Sequence, residues 1–532
     1  MPEGPATVLP AWGRTVEKAT VNGHPVLVYS ERPRSVADFL LSARRWRGRE
    51  LLVQGDRRLT VEQHEAAVAR VARCLAERGI GPGSRVALLG FNSIEWVVSF
   101  WAVQAVGAAA VLGNAWWSDG EAAGALEQAR PDLVVTSRSV SWPTLTFEDL
   151  RTLVDDTGTD VPLPEWSEDE DALAIIMFTS GTTGAPKGVL MSRRSVVANI
   201  HNLLVLTGRL PSELPDEHPG TVSLLSVPMF HLAGIQVCCT TLLSGGRLVF
   251  LEGKFDPAQV LRLIESERVR SWGSIPTMVS RVLDHPDFAE TDTSSLTSIP
   301  MGGAAVPSEL RERIAASFPG VKSRASSLYG LTEAGGVLAA GSGKDVSGRP
   351  GCVGRALPVV ELRILNPDAE GVGEIQARTP TATGGYLGDP AGVADEDGWI
   401  ATGDLGRIDE DGWLYVTGRV KDIIIRGGEN IASAHVEHAL MSHPDVQEAA
   451  VVALPHPDLG EEVGAAVVLR PGASTTREDL LEHVSGVLAS FERPSKWWRW
   501  DSPLPTNATG KVLRREVQDL WRARGAEDIW PS

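Results

Sequence analysis

The stretch AIIMFTSGTTGAPKGV, residues 174–189, decides how the rest of the chain is read. Residues 174–178 are apolar enough for a buried strand, and a run of Thr, Ser, Gly, Ala, Pro and one Lys follows. Gly181 and Gly184 let backbone N–H groups approach an anion, and the hydroxyls of Thr179, Ser180, Thr182 and Thr183 add donors. Lys187 contributes one positive point charge, the usual complement to a phosphate. Position 186, where a Walker loop needs its second glycine, is Pro186, so this is a phosphate loop of another kind. A strand before it and a helical stretch at 193–206 after it favour a fixed loop over a flexible linker.

The chain has 532 residues, too many for one ordinary core, so two or more domains are expected. With 43% hydrophobic and 22% charged residues, its composition is that of a globular enzyme. A net charge of −18 argues against nucleic acid or an anionic membrane surface as the main partner. No run approaches the ~20 apolar residues of a membrane span, and the first residues lack an apolar leader. Cys74, Cys238, Cys239 and Cys352 show no metal-ligand spacing, as expected of buried thiols in a reducing cytoplasm.

Upstream of the loop, Thr60 and Gln63 have capping-box spacing, and Val68, Val71, Ala72 and Leu75 share one helical face. Gly79, Gly81 and Gly83 precede the strand at 86–89, whereas a dinucleotide turn would follow it. A helix at 94–106, a strand at 109–112, a helix from Glu121 and a strand at 133–136 complete a first βα series. Downstream, strands at 222–227 and 247–251, an N-cap at Asp256-Pro257, a short strand near Ser271, a helix from Pro276, a strand to Met301 and a helix at 308–317 make a second. The loop would lie near the junction of these two series, where open α/β sheets bind ligands.

Residues 353–415 change to short β-prone runs, a small barrel or a distorted sheet, and a boundary follows at 418–422. The remainder reads as a compact α+β unit, with strands at Ile423, Gln447, Val463 and Trp497 and helices at Ala434 and Arg477. The expected fold is therefore α/β. A large N-terminal domain, residues 1–418, comprises two βα-layered subdomains and a small β-rich one. A small, mobile α+β domain, residues 419–532, follows it.

Four further segments carry chemistry. MGGAAVP at 301–307 puts small residues where a flat base could lie on backbone, and SLYGLTEAGG at 327–336 offers an aromatic face, a hydroxyl and a carboxylate. In the segment 398–430 a TGD motif holds Asp404, and a carboxylate accepts two neighbouring hydroxyls well. LPTNATGKVLRRE at 504–516 carries Lys511 on a Gly-containing turn. With the loop, these segments resemble the adenylate-forming superfamily of acyl- and aryl-CoA synthetases, adenylation domains and luciferases, in its order and spacing over residues 50–515.

That resemblance implies ATP binding by residues 179–187, adenine contacts at Gly303 and Ala304, and nucleotide contacts at Tyr329 and Gly330. It makes Thr332 a phosphate contact, Glu333 the Mg²⁺ ligand, and Asp404 with Arg419 the ribose clamp. Lys421 becomes a hinge, Gly427 and Gly428 border the acceptor thiol's tunnel, and Lys511 is the lysine that serves adenylation. At 227–234, VPMFHLAG lacks the aspartate that holds an amino acid's ammonium, which argues against an α-amino acid, and His231 resembles an aromatic gate. The implied activity is an AMP-forming acid–thiol ligase using ATP, Mg²⁺ and coenzyme A; a carrier-protein phosphopantetheine arm is the alternative acceptor. The small-molecule carboxylic acid is expected to be hydrophobic, in fatty or other hydrophobic carboxylic acid metabolism, because Phe230, His231, Ser274, Met278, Gly302, Gly335 and Gly336 are apolar or small, which permits a bulky acid without naming one. An oligomer is left open. Arg426 and His435 depart from the family's usual Lys and Glu.

Overall fold

The computed structural model describes residues 10–157, 161–179, 186–302, 306, 308–321, 326–346, 348–349, 351–389, 392–506, 512–526 and 528–530. Among these, four sheets carry the fold, apart from a short hairpin of Val16–Val21 and His24–Tyr29.

The first sheet runs Lys187–Ser192, Leu173–Thr179, Ala109–Gly113, Arg85–Leu89, Leu133–Thr136, Thr144–Leu145. Its strands are parallel except at the edge, where Lys187–Ser192 pairs antiparallel with Leu173–Thr179. This edge strand corrects the expected strand–loop–helix order. Gly188, Val189 and Leu190 pair across to Phe178, Met177 and Ile176, so a strand intervenes between the loop and the helix Arg193–Thr207.

The second sheet runs Ser271–Gly273, Val222–Leu225, Arg247–Phe250, Glu50–Gln54, Arg57–Thr60. Two of its strands precede the phosphate loop by more than a hundred residues, so the two βα series are interleaved rather than divided at residue 180. Met301, expected to end a strand, makes only isolated bridges to Ser274 and Ser327. The capping box is formed, with Thr60 accepting from the Gln63 N–H and Gln63 from that of Thr60, and Asp256 caps the helix Pro257–Ser266. Between the sheets, every residue of the helix Ile94–Ala105 is buried, as its lack of a polar face requires.

The third sheet is seven-stranded and wholly antiparallel: Ser327–Leu331, Gly336–Gly341, Cys352–Ala356, Leu414–Arg419, Ile400–Ile408, Gly373–Arg378, Glu361–Leu365. It begins earlier than the β-prone stretch at 353 and takes in the Tyr329 segment as an edge strand. Glu333 therefore sits in a turn between two paired strands.

After Arg419 a single 3₁₀ turn, Val420–Asp422, leads into the small domain. Its sheet joins Glu429–Ala432, Ile423–Arg426, Gly460–Leu469 and Val446–His456, with Lys496–Arg499 parallel to Gly460–Leu469. The helices Ser433–Met441, Arg477–Ser485 and Arg514–Ala523 cover it, and Trp497, Trp498 and Trp521 fill its two faces. The molecule is α/β with a large N-terminal and a small C-terminal domain.

Candidate active site

The ends of the phosphate loop are held in register. Thr179 pairs with Lys187 across the hairpin, while Ser180, Gly181, Thr182, Thr183 and Gly184 lie outside the described residues. A strap at 383–387 ties this edge to the third sheet. Leu190 donates to the Gly385 carbonyl, and Gly384 donates back to that of Leu190 (both 3.0 Å); Leu387 donates to the Gly188 carbonyl (2.8 Å).

The strap brings Tyr386 between two residues singled out in the sequence. Its ring lies 5.4 Å from the Lys187 ammonium, and its hydroxyl donates to Glu333 Oε1 at 3.2 Å. Burial and the Glu333 carboxylate push the phenol up to about 12, so it remains a donor at neutral pH. Thr383 adds its hydroxyl and N–H to the Glu333 carbonyl, at 3.0 and 3.2 Å. Sequence reading missed both residues; the signal was faint, a lone tyrosine after two glycines at 384–385.

Four residues before Glu333, Tyr329 takes part in a second constellation. Asp404, 5% exposed, accepts from the Tyr329 hydroxyl at 2.9 Å and from Arg419 Nε at 2.8 Å. Asp404 and Arg419 stand opposite each other on adjacent antiparallel strands, so the sheet register itself makes the pair. Burial, then the neighbouring carboxylate, raises the Tyr329 phenol far above its ordinary value. A carboxylate offers about four acceptor directions, and two are used here. Thr332 is half-buried beside Glu333, and Gly330 pairs with Val337 at the irregular end of the edge strand. Gly303 and Ala304 lie outside the described residues, as does Lys511.

His231 occupies the N-cap of the helix Leu232–Leu243 without capping it. Its ring lies 4.7 Å from that of Phe230, burial pulls its pKa down to about 4, and Nε2 has no hydrogen-bond partner among the described residues. The imidazole is neutral at pH 7. Phe230 and Met278 line a cavity with Phe91, Trp116 and Phe255, whereas Gly335 and Gly336 lie against the helix Arg193–Thr207.

In the small domain, Gly427 and Gly428 form the two-residue turn between Arg426 and Glu429, with φ of 59° and 95°. Positive φ at both central positions is the conformation glycine adopts without strain. Arg426 donates to the Phe491 carbonyl at 2.8 Å, and His435 Nε2 is 3.9 Å from Glu492.

Family models match both parts of the chain, an AMP-binding enzyme domain over residues 39–387 and an AMP-binding enzyme C-terminal domain over 435–511. The chain belongs to the adenylate-forming superfamily. It is 32% identical over 482 residues to a feruloyl-CoA synthase from Amycolatopsis, covering 87% of this chain and 94% of that one. Among solved structures it resembles o-succinylbenzoate CoA synthetase from Bacillus subtilis in complex with its acyl-adenylate intermediate, with a TM-score of 0.78 and 28% identity over 90% of this chain and 98% of that one. It also resembles an amide bond synthetase from Marinactinospora thermotolerans, with a TM-score of 0.78 and 31% identity over 91% of this chain and 99% of that one. The chain is thus an enzyme of the AMP-forming acid–thiol ligase class. A carrier protein as acceptor finds no support in these relatives.

Proposed function

We propose that the chain converts a largely apolar carboxylic acid, ATP and coenzyme A into an acyl-CoA, AMP and pyrophosphate. The observation that carries this is the convergence of Lys187, Tyr386 and Glu333 on one side of a short segment and Tyr329, Asp404 and Arg419 on the other. In this reading the cation and hard carboxylate serve the phosphates, and the buried acceptor serves the ribose diol.

Glu333 fits a single-carboxylate Mg²⁺ site. Its side chain is half-buried, Tyr386 orients Oε1, and no group of three or more His, Cys, Asp or Glu that could hold a metal occurs among the described residues. Mg²⁺ is commonly held by one or two carboxylates, with water and substrate phosphate completing its shell. When bound, the ion would neutralise charge on the phosphates.

The acid's carboxylate oxygen attacks the α-phosphorus of ATP, giving acyl-adenylate and pyrophosphate. Residues 179–187 and Thr332 hold the phosphates, Gly303 and Ala304 border the base, and Asp404 and Arg419 fix the ribose. Lys511 stabilises the charge that develops between donor and nucleophile, so the protein acts mainly by positioning and electrostatics. His231, kept neutral, serves as a wall of the acid pocket. The thiolate of coenzyme A then attacks the mixed anhydride after residues 419–532 turn relative to 1–418 about Lys421, bringing Gly427 and Gly428 to the thiol's path. We place the reaction in a reducing, ATP-containing cytoplasm, consistent with four free cysteines; no helix among the described residues is long and apolar enough to cross a membrane.

The test is carboxylate-dependent exchange of pyrophosphate into ATP across an acid panel, followed by addition of coenzyme A. Exchange with at least one acid, then thioester on adding coenzyme A, is expected. Exchange without thioester, with amide formed from a supplied amine instead, would replace the acceptor but keep adenylation.

A further inference from the structure

Two side-chain amides near the site are used by none of the steps above. Asn199, 1% exposed, lies on the helix Arg193–Thr207 one turn beyond Ser195 and one turn before Leu203. Ser195 donates to the Thr381 carbonyl, Thr381 Oγ1 donates to that of Ala334, and Leu203 packs with Tyr329, Ala334 and Val337. Residues 195, 199 and 203 therefore form one helix face laid along residues 334–337.

Two glycines permit that approach. At Gly335 a β-carbon would overlap the Thr381 carbonyl and Ser195 Oγ; at Gly336, with φ of 143°, it would overlap the Asn199 amide itself. From the other side comes Gln236, on the helix that begins beside His231, and its Nε2 donates to Asn199 Oδ1 at 2.7 Å. This bond occupies the acceptor of the Asn199 amide and turns Nδ2 toward Gly336. Nδ2 is buried and has no hydrogen-bond partner among the described residues. A buried N–H left unpaired is costly, and a site that keeps one gains by presenting it to a ligand. The Gln236 side of its helix is open: Ala233 is exposed, and Gln236 and Val237 are half-buried. Gly336 is three residues from Glu333 and among the residues expected to line the acid pocket, so the amide faces that side of the site.

We propose that Asn199, oriented by Gln236, is the specificity-determining donor of the acid pocket. It selects acids that carry an uncharged oxygen acceptor, such as a carbonyl or an ether, remote from the carboxylate. The inference rests on the acid-activating reading and narrows its substrate class from merely apolar to apolar with one oxygenated position.

The experiment compares kcat/KM for isosteric acid pairs, such as 4-methoxycinnamate against 4-ethylcinnamate and ring ketones against their methylene analogues, by pyrophosphate release. The wild type should favour the oxygenated member of at least one pair by about 10–100-fold, the size of one well-placed hydrogen bond left unmade. In Asn199→Leu and in Gln236→Leu that ratio should fall to near one, a readout that a purely structural role would not move. Gln236 is half-buried, so its variant carries the test should Asn199→Leu fail to fold. A wild-type ratio near one across the panel, or an unchanged ratio in the variants, overturns the inference and leaves the ligase reading standing. Absence of pyrophosphate release with every acid overturns both.

Discussion

The two ends of the small domain differ in what they touch. At one end Glu448 faces Arg281 of the large domain (3.9 Å), and Arg470 faces Asp284 (3.6 Å), which also accepts from Arg313 (2.6 Å). Glu448 takes the Leu504 N–H as well, at 2.8 Å, so the segment leading to Lys511 starts on this docked side. At the other end, the hairpin of Val446–His456 and Gly460–Leu469 finishes beside the Gly427–Gly428 turn, through the pair Arg426 and Gly460. No atom of the described residues lies within 4 Å of a β-carbon built on Gly428. Around it Ile425, Val487 and Phe491 are 54%, 62% and 38% exposed. From Glu448 to His456 the strand rises roughly 25 Å. Leu504 and the glycine turn thus lie toward opposite ends of this strand, and under the proposed function each end serves its own step in its own pose.

Breaking the docked side at its chemistry should have the largest effect. Under the proposed function Lys511→Ala removes a charge that acts only during adenylation, and loss of such a donor typically costs about 10²–10³-fold. Single-turnover acyl-adenylate formation should fall by that factor while thioester formation from supplied acyl-adenylate persists; equal losses in both would mean a single pose. The open side should give the reverse pattern. If Gly428 borders the thiol's path as proposed, Gly428→Leu should slow thioester formation by about tenfold or more, with adenylation kept, provided circular dichroism shows that the turn survives a β-carbon at positive φ.

A smaller effect sharpens the view of the domain as one rigid body. Arg514, on the helix after Lys511, forks onto Glu437 (2.6 and 2.5 Å) and also donates to Asp422 (3.1 Å) of the turn between the domains. Arg514→Ala should destabilise the small domain by roughly 1–3 kcal/mol, read by thermal melting, and Arg514→Lys should recover part of it. Smallest of all, Asp284→Ala with Glu448→Ala should shift the pose by a few-fold at most, since half-exposed ion pairs contribute about 0–1 kcal/mol. Thioester formation would quicken slightly, and high salt should mimic the change in the wild type. A large change would mean that these pairs govern the rotation.

Much of this was legible in the chain itself. The phosphate loop, Glu333, Asp404, the Gly427–Gly428 turn and Lys511 stand in contiguous motifs, because backbone N–H groups, glycine torsions and capping geometry act over a few residues. The order of helices and strands came through wherever hydrophobic periodicity was strong. Other features were decided only by tertiary structure, since they depend on partners distant in sequence. The strand at 187–192 is short and bordered by loop residues, and only its antiparallel pairing with 173–179 defines it. Glu50–Gln54 joins Arg247–Phe250 across some two hundred residues, which periodicity alone could not assign. Tyr386 became a bridge between Lys187 and Glu333 through strap hydrogen bonds. Asn199 and Gln236, polar residues within largely apolar helices, acquired a role only when two glycines let a third segment close over them. Local chemistry is written in neighbouring residues, whereas pairing across the fold depends on which surfaces burial brings together.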